Sequence, residues 1–161
     1  MARLFPPKRK KYLRCYYICQ SIIQSHPHSM EQQESKQYWE IFEIKVRPLT
    51  ERQQRTIAYN FCLLIEKDLD DLGKGALKLV QQLTAGDISS EECTAYREQL
   101  QHRLPDEGTS PYSPLIWALT PHTASYPAWY SAAIVGLNVI DLGRSTFPEL
   151  TDLTKEILNS F

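Results

Sequence analysis

Two cysteines and two histidines near the start of the chain form a candidate metal site. Cys15 and Cys19 are one helical turn apart, and His26 and His28 follow them. Zinc takes such soft ligands in a tetrahedral array, but its histidines are usually about three to five residues apart. The cysteines also lie among apolar residues, where they would pack as small hydrophobic groups. These four residues are therefore weak candidate ligands, and we expect neither a metal nor a cofactor.

Nucleophilic catalysis requires a serine or cysteine beside a histidine and an orienting carboxylate. No serine lies in a Gly-x-Ser-x-Gly motif, and no glycine-rich phosphate loop is present. His122 follows a proline in a turn, where it would cap a helix or lie beside a pocket with Trp117 and Trp129. We predict no catalytic residue, and a ligand site near His122 is kept as an alternative.

Basic residues form a candidate nucleic-acid site at the start of the chain. Several tyrosines accompany them, so phosphate contacts and base stacking are both available. A solvated terminal arm is the simpler interpretation of the same run. The residues are Lys8, Arg9, Lys10, Lys11 and Arg14.

An acidic cluster is the best candidate for a surface that binds a protein partner. Glu66, Asp68, Asp70 and Asp71 are expected to close a helix, where the helix dipole favours cations instead. Either this is a solvated helix end or it is a patch for a basic partner. The surface would extend to two acidic loop residues, Asp106 and Glu107.

The segments that must position these residues have the sequence patterns of helices. Residues 50–53 and 89–92 each form a capping box, and Gly86 is placed to stop the helix between them. Another helix is expected to open at residues 146–149. The helix after residue 50 is predicted to carry one apolar stripe, formed by Ile57, Phe61, Ile65, Leu69 and Leu72.

Residues 128–142 are apolar on nearly every side, which predicts the central helix of the core. Residues 38–46 alternate as a strand would, but no second strand could pair with them, so we predict a helix there. The chain is predicted to be all-α, a single compact bundle of six or seven mostly antiparallel helices. A flexible basic arm, residues 1–11, would precede one helical domain, residues 12–161. The most buried positions are expected to include Trp129, Ala132, Ala133, Gly136 and Ile140.

Composition limits the function classes. The net charge is −1, which argues against a dedicated nucleic-acid binder. Residues 1–55 carry eleven Lys and Arg against five Asp and Glu, whereas residues 56–161 carry seven against fourteen. This asymmetry indicates either a basic arm on an acidic body or two parts that attract each other within the fold. With no apolar run suited to a secretory signal or a bilayer span, we expect a cytoplasmic protein that does not bind a membrane.

Residues 50–142 resemble a bacterial all-α family of predicted immunity proteins, which are encoded beside polymorphic toxins. The similarity is carried by helix order, by the segment from Arg55 to Glu66, by the turn Ala85-Gly86-Asp87-Ile88-Ser89, and by the aromatic and alanine-rich segment 126–142. The resemblance implies no catalytic motif.

The sequence thus favours a non-catalytic protein-interaction module, and an immunity-type protein that occludes its partner is the form suggested by the resemblance. The expected partner is another protein, in particular a basic one. One alternative is a nucleic-acid-associated or regulatory protein that uses the N-terminal arm. A second alternative is a small ligand-binding protein or enzyme with a pocket near His122.

Overall fold

The computed structural model describes residues 30–161, and this part of the chain is built from helices without strands. Its α-helices are α1 (Met30–Ile41), α2 (Glu51–Leu63), α3 (Asp71–Ala85), α4 (Thr94–His102), α5 (Tyr112–Ala118), α6 (Ala128–Asp141) and α7 (Phe147–Ser160). A π-helical turn, Phe42–Val46, continues α1, and a 3₁₀ turn, Glu66–Asp68, lies between α2 and α3. The predicted all-α bundle is confirmed for these residues.

Side-chain caps fix several helix ends at the predicted positions. The Thr50 hydroxyl accepts a hydrogen bond from the Gln53 N–H at 3.3 Å, and the Gln53 side chain accepts one from the Thr50 N–H at 3.1 Å. A capping box of the same kind forms at residues 146–149, where α7 begins. The hydrogen bonds of a capping box also form at residues 89–92, but they open a turn, and α4 itself begins at Thr94 without a side-chain cap, later than predicted. Gly86 ends α3 in the left-handed conformation, with φ at 84°. These boundaries are therefore set by local sequence.

The helix predicted to continue through Leu72 is instead two helices. The first, α2, ends at Leu63, and α3 begins after Asp70, whose carboxylate accepts the Gly73 N–H at 2.8 Å. Ile65 and Leu69 lie in the connection and are still buried. The apolar spacing thus predicts burial correctly, while the cap at Asp70 supplies an independent helix start that breaks the continuity.

Helix α6 is the core helix and packs most extensively against α2 and α5. Ala132, Ala133 and Gly136 are buried, as predicted, but Trp129 and Ile140 are only half-buried. Those two residues lie at the ends of α6, where the bundle meets solvent, so the expectation that they rank among the most buried is wrong. Within residues 30–161, no helix, α6 included, is long and apolar enough to cross a membrane.

Residues 38–46 are helical, which confirms the prediction for this ambiguous segment. The helix changes type after Ile41, and the Arg47 N–H bonds the Phe42 carbonyl at 2.8 Å, five residues back. Phe42 and Val46 are fully buried, whereas Ile44 between them is 64% exposed. Burial therefore follows the helical spacing of Phe42 and Val46, four residues apart, and does not follow the strand-like alternation, which would also bury Ile44.

Candidate functional site

The predicted acidic cluster lies in the connection between α2 and α3. Glu66 and Asp68 belong to the 3₁₀ turn, whereas Asp70 caps α3 and Asp71 is its first residue. The expectation that this cluster closes a helix is therefore wrong for Asp70 and Asp71. They lie at a helix N-terminus, where the dipole favours carboxylates.

Asp70 joins this connection to the start of α5. One carboxylate oxygen accepts the Gly73 N–H, and the other accepts a hydrogen bond from the Tyr112 hydroxyl. The Tyr112 hydrogen bond, followed by the Gly73 hydrogen bond, lowers the pKa of Asp70 below its ordinary value. The charge of Arg103, the residue after α4, acts in the same direction.

Both ends of the loop between α4 and α5 therefore come to the start of α3. Arg103 precedes this loop and Tyr112 follows it, and both interact with Asp70. Asp106 and Glu107 lie in the loop and are exposed. The structure thus anchors both ends of this loop at Asp70, one member of the acidic cluster.

Asp68 is engaged in an ion pair with another segment of the chain. The Arg144 guanidinium donates from Nε to Oδ2 at 2.6 Å and from Nη2 to Oδ1 at 2.5 Å. This bidentate pair ties the 3₁₀ turn to the segment after α6 and neutralises the Asp68 carboxylate. We define the acidic surface by four further carboxylates, all exposed, which are Glu66, Asp71, Asp106 and Glu107.

His122 contacts a carboxylate, as a ligand-binding or catalytic site near this histidine would require. Its Nδ1 lies 3.0 Å from Glu51 Oε1, and Arg55 binds the same oxygen through Nε and Nη2, each at 3.0 Å. Burial, and then the charge of Arg55, lower the pKa of His122 below its ordinary value although Glu51 opposes this. Burial opposes the shift at Glu51, yet the hydrogen bonds from His122 and Arg55 hold its pKa below the ordinary value.

This cluster closes the C-terminal end of α5. Arg55 donates to the Ala118 carbonyl at 3.5 Å, and Arg97 donates to the Leu119 carbonyl at 3.3 Å. Cations are stabilising at this end of a helix because its last carbonyls lack partners within the helix. The Glu51 side chain remains 61% exposed, so His122 and its carboxylate are not enclosed together in a pocket. The geometry supports a structural role for the cluster.

Cys93 lies close enough to Arg55 and Arg97 for their charges to act on its thiol, and it is fully buried. Burial raises its pKa, although the charges of Arg55 and Arg97 oppose the shift. Its Sγ lies 3.5 Å from the Ser89 carbonyl. A buried, protonated thiol is a poor nucleophile, so Cys93 adds no catalytic chemistry.

A groove that the sequence analysis missed lies between α1, the π-helical turn and α7, with a volume of about 650 Å³. Its lining combines apolar side chains with amides and two lysines. The only sequence signal is polar residues spaced at three or four positions on two helices, which also describes any solvated helix face. The pairing of these two faces is a tertiary feature.

The metal candidates Cys15, Cys19, His26 and His28 lie outside the described residues. So do the candidate nucleic-acid residues Lys8, Arg9, Lys10, Lys11 and Arg14 and the predicted arm, residues 1–11. Within residues 30–161, no group of three or more His, Cys, Asp or Glu side chains could hold a metal ion.

Comparison of the chain with protein-family models, with curated proteins and with solved structures gives no significant match. The assignment of a site therefore depends on the geometry of the described residues.

Proposed function

We propose that this chain is a non-catalytic protein-interaction module that binds a basic partner through the acidic surface. The observation that carries the proposal is the hydrogen bond between Tyr112 and Asp70, because it fixes the acidic loop beside the start of α3. We infer that this anchor holds Glu107 close enough to Asp71 for the two carboxylates to act together on a basic partner.

The carboxylates of this region differ in their contacts, and this difference supports the proposal. Asp68 and Asp70 accept hydrogen bonds from other residues of the chain, whereas no hydrogen bond or ion pair engages the exposed side chains of Glu66, Asp71 and Glu107 among the described residues. The first pair builds the surface, and the exposed residues remain available to a partner. Exposed charges of one sign mainly raise the rate of association and select complementary partners.

Occlusion of a partner's functional surface is the mode of action that we propose. The resemblance to bacterial immunity proteins suggests this mode, and such an inhibitor needs a contiguous surface of about 800 Å² rather than a catalytic pocket. The buried Cys93, and the Glu51 carboxylate that stays exposed beside His122, suit a chain that works by binding alone.

The proposal is tested with a defined oligolysine peptide as the basic probe, using stopped-flow association rates at low and high salt. The triple variant Glu66→Lys, Asp71→Lys, Glu107→Lys should associate more slowly than the unmodified chain, and salt should affect its rate less. The control variant Glu31→Lys, Asp152→Lys, Glu156→Lys has the same net charge, with the changes on α1 and α7.

The two variants separate a local surface from overall charge. If both slow association equally, the probe responds to net charge and the acidic surface is not a binding site. Absence of oligolysine binding at low salt also contradicts the proposal. Circular dichroism of each variant checks that the helical fold is retained.

A further inference from the structure

The groove between α1, the π-helical turn and α7 is lined by one continuous face from each side. Gln37, Glu40, Ile41 and Ile44 are spaced at i, i+3, i+4 and i+7 along α1 and the turn. On α7, the lining residues are Thr151, Lys155, Leu158 and Asn159. Its volume of about 650 Å³ is within the range of small-molecule pockets, about 300–1,000 Å³.

The apolar part of the lining is only partly covered by the fold. Ile41 is buried in the floor and Leu158 is half-buried, whereas Ile44 is 64% exposed. An exposed isoleucine beside two further aliphatic side chains gives a surface that an aliphatic chain would remove from water.

Two lysines, one on each side, make the groove electropositive. Lys45 comes from the π-helical turn and Lys155 from α7. Among the described residues, neither lies within ion-pair distance of a carboxylate, while Glu40, the acidic residue of the lining, pairs with Lys36 at 3.8 Å. The groove therefore has a positive charge that its own carboxylate does not neutralise, on a chain whose net charge is −1.

Thr151 lines the groove but offers a ligand no hydrogen bond in this conformation. The residue is 8% exposed, and its hydroxyl oxygen is closed to solvent and has no hydrogen-bond partner in the described part of the chain. A buried hydroxyl without a partner is destabilising. Recognition of a ligand in the groove therefore depends on the two lysines and the aliphatic side chains.

We propose that this groove binds an anionic amphiphile, namely a carboxylate attached to an aliphatic chain. The carboxylate would lie between Lys45 and Lys155, and the chain would cover Ile41, Ile44 and Leu158. This site shares no residue with the acidic surface, so the outcome of its test does not depend on the proposed function.

The test is calorimetric titration with dodecanoate below its micellar concentration. We expect one binding site per chain, and in the variant Lys45→Gln, Lys155→Gln the affinity should fall by about tenfold or more because two charge-assisted contacts are lost. The matched control is Lys74→Gln, Lys78→Gln on α3, where two exposed lysines are changed away from the groove. This control should bind dodecanoate as tightly as the unmodified chain.

Two further probes separate the head from the tail. Dodecyltrimethylammonium has the same chain with the opposite charge, and butyrate has the same head with little chain, so both should bind much more weakly. Ile44→Asn should also weaken dodecanoate binding, and since Ile44 is exposed the fold should persist.

Three results would overturn the proposal. They are equal binding of dodecyltrimethylammonium, unchanged dodecanoate affinity in the Lys45→Gln, Lys155→Gln variant, and no dodecanoate binding at all. An acidic peptide that binds through these lysines where dodecanoate does not would instead identify the groove as a peptide site.

Discussion

The hydroxyl of Tyr38 donates a 2.6 Å hydrogen bond to the main-chain carbonyl of Ala133. This bond joins α1 to the central helix α6, and both residues are fully buried. The ring can approach so closely because Gly136, one turn further along α6, has no side chain. A Cβ at that position would meet the Tyr38 hydroxyl, and would lie 3.0 Å from Phe61 and 3.1 Å from Leu150.

Gly136→Ala should therefore destabilise the fold. Overpacking of this kind costs about 1–3 kcal/mol in free energy of unfolding, against a gain in helix propensity of about 1 kcal/mol for alanine. Urea unfolding measures the net loss. In the Tyr38→Phe background, where the nearest clashing atom is gone, the same substitution should cost less. A Gly136→Ala variant as stable as the unmodified chain would contradict the close packing described here.

The stability of the fold should fall as the pH decreases below about 6.5, and His122 should be responsible. Because burial and Arg55 lower the pKa of His122 below its ordinary 6.5, the unfolded chain takes up a proton that the folded chain does not. Its contribution is thus present above pH 6.5 and is lost as the pH falls through the folded-state pKa. The lowered pKa values of Glu51 and Asp70 act in the same direction, but below their ordinary values of 4.5 and 3.8.

Urea unfolding at a series of pH values checks this prediction. His122→Gln should flatten the dependence just below pH 6.5, while leaving the more acidic part. His102→Gln is the matched control, because His102 is exposed at the end of α4. An equal slope in the His122→Gln variant would mean that another group controls stability in this range.

Tyr112→Phe should release the acidic loop without unfolding the bundle. Loss of the hydroxyl removes the main cause of the lowered Asp70 pKa, so that pKa should rise toward its ordinary value in an NMR titration. Amide hydrogen exchange in residues 104–111 should become faster. Tyr59→Phe provides a control at a half-buried tyrosine on α2. Unchanged exchange in the loop would show that Tyr112 does not anchor it.

Arg144→Gln should strengthen binding of the oligolysine probe. The substitution removes the bidentate partner of Asp68 and so adds a carboxylate to the acidic surface. The pair is partly exposed, with Arg144 at 51%, so the free energy of unfolding should change by less than about 1 kcal/mol. If Asp68→Asn and Arg144→Gln affect probe binding equally, the pair does not control the charge of this surface.

Local sequence patterns predict the helix ends well and the connections less well. The capping boxes at residues 50–53 and 146–149 form as expected because each needs only a few neighbouring residues. Asp70 is also a strong cap, but its position inside an apolar stripe of period three to four conceals it. The Tyr112 hydroxyl comes from 42 positions away, and no local pattern indicates which carboxylate it will bind.

For the candidate sites, too, local residue types are predictable from the sequence and contacts between distant residues are not. The sequence identifies the carboxylates of the acidic surface and the pairing potential of His122, because both depend on residue type. It does not identify Glu51 as the partner of His122, which lies 71 positions away. Nor does it indicate the groove, since Lys45 and Lys155 become neighbours only after α1 and α7 pack together.

The π-helical turn holds one residue more than an ordinary helical turn would. The Arg47 N–H bonds the Phe42 carbonyl five residues back, so removing one residue between them would restore the ordinary spacing of four and keep this pair together. Arg47 would then stay over the face of Trp129, whose ring centroid is 5.6 Å from its guanidinium carbon. Because Phe42 and Val46 are buried whereas Ile44 and Lys45 line the groove, the loss of one residue from 43–45 would alter the groove more than the core.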